Sequence, residues 1–337
     1  MGSTRAIWWQ SSNRRRSFFD QRSAIATSST RDRPMKHLRT NEFDFHPGHM
    51  ATTWRPGYPL SLRKPQGVLR IGHLSDFHFG KPTADGVDAE DAVWRWIEDF
   101  GEVGVDLLFV TGDLVEEPDD EERLPAAKAM LDKAPFPYVV IPGNHDVSNP
   151  GTPGTFEKIF GQYPRLERHG DLEIVLLDSM QGLPPSERSL YDRMEAATGK
   201  AYSRGKVGQA QLDDLEGRFA HEEPLTYGRV MLVHHHLRPN APTRQGYQHH
   251  PTEPWGLMGP LEDAHDLIDW ASQHRVRVIF HGHKHNFWDP YEPRPGVIVL
   301  NSGTSTRAKA DRPRRARIVD LFAAEDSIAV HDLELSI

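Results

Sequence analysis

From Gly67 onward, short aliphatic runs alternate with stretches in which apolar side chains recur every three or four residues. Val68–Leu74 reads as a strand. Residues 88–102 read as a helix, because Val93, Trp94, Trp96, Ile97 and Phe100 return at helical spacing. The same reading places strands at 105–110, 138–141, 172–177, 229–234, 276–281 and 296–300, and helices at 119–133, 207–220 and 262–273. Residues 316–322 and 327–335 read as two strands of a hairpin. Many runs are continuously Val, Ile and Leu, as expected of strands covered on both faces. Strands alternating with helices predict a layered α/β architecture. Two stretches without such pattern, about 180–206 and 237–258, exceed ordinary connection lengths and are expected to be functional or mobile.

The first 64 residues follow no period. They are rich in Arg and Ser, carry the run Arg14-Arg15-Arg16, and are punctuated by Pro47, Pro56 and Pro59. We read 1–64 as a poorly structured basic arm and 65–337 as the folded domain. The arm lacks the apolar stretch of a secretory signal. Its Arg/Ser bias suits a transit peptide, a start upstream of the true one (Met35 and Met50 follow), or an arm that packs on a neighbouring subunit; the upstream start is the reading we favour. The expected location is cytoplasmic, with a homo-oligomer left open.

Composition removes several chemistries. The 337 residues include no cysteine, so disulfides, thiolate metal sites and thiol catalysis are excluded. No apolar run reaches the roughly 18 residues a membrane span needs. Charge is uneven: residues 1–70 hold 13 Lys and Arg against 4 Asp and Glu, leaving 27 against 44 in the remainder. A folded part that acidic is a poor binder of nucleic acid, and none is expected as a partner.

Five of the strands end in residues that ligate metals. They run into Ser75-Asp76-Phe77-His78, Thr111-Gly112-Asp113, Pro142-Gly143-Asn144-His145-Asp146, His234-His235-His236 and His281-Gly282-His283-Lys284-His285. Carboxyl ends of strands in an open α/β sheet are where sites assemble. Singly, each cluster has a plain reading: Gly-Asn-His-Asp suits a turn, and a lone His281 or His73 suits a core. Together they hold eight of the nineteen histidines. Asp76 and His78 are two apart, which on extended backbone puts both side chains on one face, and His283 and His285 share that spacing. Asp, Asn and His are borderline-to-hard donors, suited to Mn, Fe, Zn, Co or Ni. Asp76, His78, Asp113, Asn144, one of His234–His236, His283 and His285 make seven candidates. Seven is too many for one tetrahedral ion and suits two ions that share a carboxylate.

In order, Asp76-x-His78, Gly112-Asp113, Gly143-Asn144-His145-Asp146, His234 and Gly282-His283-x-His285 resemble the motifs of the calcineurin-like metallophosphoesterase superfamily over roughly residues 67–305. The resemblance implies a four-layer αββα sandwich with a dinuclear metal site at the strand C-terminal edge, and a terminal hairpin extending one sheet. It implies two divalent or mixed-valence ions (Mn2+, Fe2+/Fe3+ or Zn2+). One would be held by Asp76, His78, Asp113 and His285, the other by Asp113, Asn144, His234 and His283, with His234 preferred over His235. It further implies attack by a metal-bridging hydroxide, with His145 facing the substrate as the catalytic acid or charge stabiliser and Asp146 orienting it.

Departures from the family's branches narrow the expectation. Glu116-Glu117-Pro118 replaces the Asp-Arg-Gly that follows the second motif in protein phosphatases, and Glu116 stands where purple acid phosphatases carry a tyrosine ligand. The chain is most similar to bacterial class III cyclic-nucleotide phosphodiesterases, through Leu177-Asp178-Ser179, Gly208-Gln209-x-Gln211-Leu212 and the triple histidine. The expected substrate is a small phosphodiester, cyclic nucleotides among them, gripped by Arg238, Arg244, Tyr247 and His249. A phosphomonoesterase, a nuclease and a non-catalytic scaffold are the alternatives.

Overall fold

The computed structural model describes residues 38–41, 53–54, 60, 63–147, 154–180, 205–219, 225–237, 261–285, 290–307, 313–323 and 327–335. The strands are β1 (Leu38–Asn41), β2 (Thr53–Trp54), β3 (Val68–Leu74), β4 (Leu107–Val110), β5 (Tyr138–Val140), β6 (Arg165–His169), β7 (Leu172–Leu176), β8 (Gly228–Leu232), β9 (Val276–His281), β10 (Tyr291–Arg294), β11 (Val297–Asn301), β12 (Arg314–Phe322) and β13 (Ser327–Leu335). The helices are α1 (Ala89–Glu102), α2 (Arg123–Leu131), α3 (Thr155–Phe160), α4 (Gln209–Glu216) and α5 (Ala264–Gln273).

The strands form two sheets. One runs β1-β13-β12-β3-β4-β5, with β2 also on β13. In it β3, β4 and β5 are parallel, and β12 is antiparallel to both β3 and β13. The hairpin expected from the sequence thus extends this sheet. The other runs β10-β11-β9-β8-β7-β6. Its four inner strands are parallel, and β6 and β10 close it as antiparallel edges.

Alternation along each strand divides the core. Ile71, Phe109, Ile174, Leu176, Leu232, Phe280, Leu300 and Val319 belong to one buried cluster between the sheets. The intervening Val175, Met231, Ile279 and Val299 face the other way and join Leu212 and Leu215 of α4 and Leu267 and Ile268 of α5. On the first sheet, Phe100 of α1 packs over Gly72, on the face of β3 opposite Ile71. The result is a helix–sheet–sheet–helix sandwich. Because the inner strands of both sheets are buried on both faces, they are dominated by aliphatic and aromatic residues, unbroken in β4 and interrupted by buried polar residues in β3, β7 and β9.

Polar groups also enter this interior as pairs. Arg70 on β3 and Asp320 on β12 are register partners, fully buried, and joined by hydrogen bonds of 2.7 and 2.8 Å. Arg317 donates to Asp332 across the β12–β13 pair at 2.8 Å.

Several ends differ from the expected ones. α1 begins at Ala89 because the Asp88 side chain caps it, accepting from the Glu90 amide at 2.9 Å. α4 begins after Gly208, whose amide donates to Asp263 at 2.7 Å. Within the arm expected at 1–64, the described residues include β1 and β2, both paired with β13.

Candidate metal centre

The carboxyl ends of β3, β4, β5, β8 and β9 meet at one edge of the sandwich, and each delivers candidate ligands there. The local backbone is bent to do so. Asp76, His78, Asp113 and His283 all have positive φ, between 50 and 68°. Such left-handed non-glycine residues collect at functional sites, where surrounding structure holds them in place.

This bending corrects two expectations. Asp76 and His78 lie beyond β3, so extended alternation does not align them. His283 and His285 do not work as a pair on one face. His283 reaches Asn144, with Nδ1 2.8 Å from Oδ1, while His285 Nε2 lies 2.9 Å from His78 Nε2 and 3.4 Å from Asp76 Oδ1. The left-handed turn at His283 sends the two rings to different donor sets.

The first set is Asp76, His78 and His285; the second is Asp113, His234 and His283. Asp113 stands between them. Its Oδ2 is 3.7 Å from His78 Nε2, and its Oδ1 is 3.4 Å from His234 Nε2. Asn144 Oδ1 adds to the second set, 3.1 Å from His234 Nε2. Close approach of backbone is required here: a Cβ at Gly143 would run into the Asp113 amide nitrogen and Oδ1, and one at Gly282 into Ser75 Oγ.

Outer contacts fix the ring tautomers. His234 Nδ1 donates to the Thr111 carbonyl at 2.6 Å, which leaves Nε2 facing Asp113 and Asn144. The next ring, His235, turns away and meets Ser179 Oγ at 2.8 Å. Gln211 of α4 holds that turn, accepting from the Asp178 amide at 3.1 Å and donating to its carbonyl at 2.6 Å. The motif residues 177–179 and 208–212 are therefore a brace behind the triple histidine. His78 Nδ1 lies 2.9 Å from Glu116 Oε2, at an angle short of a good hydrogen bond, and Glu116 is also paired with Lys81.

Electrostatics favour neutral rings around ionised carboxylates. Burial pushes His78 down to about 4. Burial, then the neighbouring rings of His235 and His234, holds His283 well below the usual range. Burial works against ionising Asp113, but His234, His145 and His78 keep it well below the carboxylate range. Burial likewise opposes charge on Glu116, yet His78 and Lys81 draw it down to about 2. His234 is the exception: burial opposes its charge, but Asp113 lifts it to about 9. A cation beside Asp113 would displace that proton.

The donors fit metal ions. Asp76 is fully buried, and neither of its carboxylate oxygens has a hydrogen-bond partner among the described residues. A bare buried carboxylate facing two imidazole nitrogens is costly without a cation. The set is oxygen and nitrogen throughout, as first-row transition metals take.

The third motif behaves differently from the expectation. His145 Nδ1 donates to the Glu116 carbonyl at 2.8 Å, and the His145 amide donates to Asp113 Oδ1 at 2.9 Å. Asp146 does not orient His145. Its carboxylate accepts from the amides of Leu114, Val115 and Gly143 at 2.8, 3.2 and 2.8 Å, so it ties the β4 loop to the β5 loop. Three amides pointing inward from two turns claim it first. Burial, then the nearby Asp113 charge, pushes Asp146 up to about 7.

Arg238, Arg244, Tyr247 and His249 lie outside the described residues, as do 181–204. The structure brings three further groups to the edge, Glu116, Lys81 and Arg307, of which the sequence reading noted only Glu116, as the residue in the place of a tyrosine ligand. Glu116 follows Asp113 by three residues, a signal close at hand; a lone arginine 22 residues after His285 has none.

A sandwich of this kind, with clustered His and Asp donors at one strand edge, is the architecture of metal-dependent phosphoester hydrolases. The chain belongs to the calcineurin-like phosphoesterase family, whose model matches residues 69–287. The family uses a dinuclear transition-metal site. Among solved structures, a dimetal phosphatase of Danio rerio is similar with a TM-score of 0.53 and 12% identity, over 80% of this chain and 99% of that one. A purple acid phosphatase of yellow lupin (Lupinus luteus) gives 0.47 and 15%, over 81% and 52%. A phosphopantetheinyl hydrolase of Mycobacterium tuberculosis gives 0.40 and 14%, over 71% and 91%. At these identities the likeness is one of fold. No curated protein matches the chain in sequence. No helix among the described residues is long and apolar enough to cross a membrane.

Proposed function

We propose that the chain hydrolyses a small phosphodiester, cyclic nucleotides among its substrates, at two transition-metal ions that share Asp113. Asp76, His78, Asp113 and His285 would hold one ion; Asp113, Asn144, His234 and His283 would hold the other. The observation that carries this reading is the place of Asp113 between two donor sets, one of which contains the buried carboxylate of Asp76, without a hydrogen-bond partner among the described residues. The diester preference rests on the resemblance of the triple histidine and its brace to class III phosphodiesterases. The catalytic unit is 65–337, with β1 and β2 added at its edge.

When bound, the ions supply an acidified water as nucleophile and neutralise phosphoryl oxygens. The chain's own residues do the rest. The Glu116 carboxylate lies beside the His78 ring, and the Thr111 carbonyl sets His234. Because the Glu116 carbonyl engages His145 Nδ1, Nε2 is the atom left to carry a proton. A ring nitrogen of His145 lies within 4.8 Å of donor atoms of His78 and Asp113, at the edge where a leaving oxygen would emerge. Protonation there relieves developing charge on the leaving group, an effect typically worth about 10²–10⁴-fold.

The test is metal exchange with two chromogenic esters. Chelated protein should lose turnover, and manganese should restore it with about two ions per chain by elemental analysis. Bis(p-nitrophenyl) phosphate should be turned over faster than p-nitrophenyl phosphate. A monoester preference would overturn the diester assignment; protein that takes up no metal would overturn the site.

A further inference from the structure

Arg307 belongs to a loop outside the matched family segment, and that loop is sewn to the strand end that carries Asp76. The Ser305 amide donates to the Ser75 carbonyl at 3.0 Å. Thr304 Oγ1 donates to the Asp76 carbonyl at 3.2 Å, and Thr306 Oγ1 to the Phe77 carbonyl at 2.7 Å. From outside, Trp96 Nε1 donates to the Ser305 carbonyl and Arg314 Nε to the Thr306 carbonyl, both at 2.8 Å. Thr304, Ser305 and Thr306 are buried. The Arg307 backbone is thereby set at a fixed place beside the metal edge.

Its guanidinium points along that edge without closing on either neighbour. The nearest approaches among the described residues are 3.5 Å to His285 Nδ1 and 3.9 Å to Glu116 Oε2. Both exceed the 2.7–3.2 Å of an N–H bond to oxygen or nitrogen. Glu116 already serves Lys81 and His78. His285 turns its Nε2 toward Asp76 and His78, the side on which an ion would sit. Arginine can only donate. Among the described residues the guanidinium thus has only these two long contacts, which leaves its fork open to an anion bound at the edge. The side chain is 19% exposed, enough for its tip to reach a bound group.

We propose that Arg307 grips a non-bridging phosphoryl oxygen of the substrate, and of the phosphate product, on the His78–His285 side of the centre. The proposal rests on the two-ion reading above and extends it with a substrate-binding residue. A guanidinium presents parallel N–H groups that match a phosphoryl group as an ammonium cannot.

The test uses the manganese-loaded full chain with inorganic phosphate as the probe, read by calorimetry and by inhibition of diester turnover. Arg307→Met should weaken phosphate binding about 10–100-fold while metal content by elemental analysis stays at the wild-type value. Arg307→Lys should recover only part of that loss. Phosphate binding unchanged in Arg307→Met, with metal retained, would overturn the proposal. Loss of metal in both variants would also overturn it, since Arg307 would then be a positioning residue for His285. Wild-type protein that takes up no manganese would instead defeat the two-ion reading, and the proposal with it.

Discussion

Replacing His145 by alanine separates chemistry from construction at this edge. Among the described residues the ring makes one hydrogen bond of 2.8 Å, from Nδ1 to the Glu116 carbonyl, and the amide bond to Asp113 is backbone and survives the change. Losing the ring contact costs about 0.5–1.5 kcal/mol of stability. Losing proton transfer to the leaving oxygen costs about 10²–10⁴ in rate, or about 2.7–5.4 kcal/mol of barrier. His145→Ala should therefore keep both ions and melt within a few degrees of wild type, yet lose most turnover. The deficit should be larger for an alkyl ester than for bis(p-nitrophenyl) phosphate, because p-nitrophenolate departs readily without a proton. The assay is steady-state hydrolysis of both esters by manganese-loaded protein, with metal content measured alongside. Full turnover of the alkyl ester would remove His145 from the mechanism, and an equal deficit for both esters would refute its role as an acid.

Two other perturbations follow from the site and its frame. Glu116→Gln removes the charge beside His78 Nδ1 and should weaken metal binding about 10–100-fold, read by competition with a chromogenic chelator; unchanged affinity would mean that the contact does not orient His78. Asp320→Asn leaves the buried Arg70 without its counter-charge and should destabilise the fold by about 3–5 kcal/mol near neutral pH. Burial opposes charge on Asp320, but Arg70 holds it below its ordinary range. Its contribution is therefore full above the unfolded carboxylate range and is lost as pH falls through the folded value. The gap between wild type and variant in urea midpoint should shrink in acid; a gap that widened would contradict this pairing.

The long buried elements were legible because burial on both faces writes apolar runs, as in β4 and β11, and a helix over a sheet writes the spacing of Trp96, Ile97 and Phe100. The edge strand β6 is Arg-Leu-Glu-Arg-His and only partly buried, and β10 holds a proline, so neither carries such a pattern. Strand ends rich in Asp, Asn and His could be recognised because donor chemistry is a property of the residues themselves.

Spacing did not say which donors group together; the family resemblance implied a division, and its physical basis lies in the folded chain. Left-handed backbone at Asp76, His78, Asp113 and His283 aims side chains in directions that spacing does not encode, and it sent His283 and His285 to different sets. Asp146 was placed by three amides from two loops, and Arg307 by bonds between segments more than 200 residues apart. By itself the sequence determined the long buried strands, the main helices and the set of candidate donor residues, because these follow from local period and residue type. Tertiary structure alone decided partners and direction, because a hydrogen bond or shared ion depends on where distant backbone turns, and hydrophobic period says nothing of that.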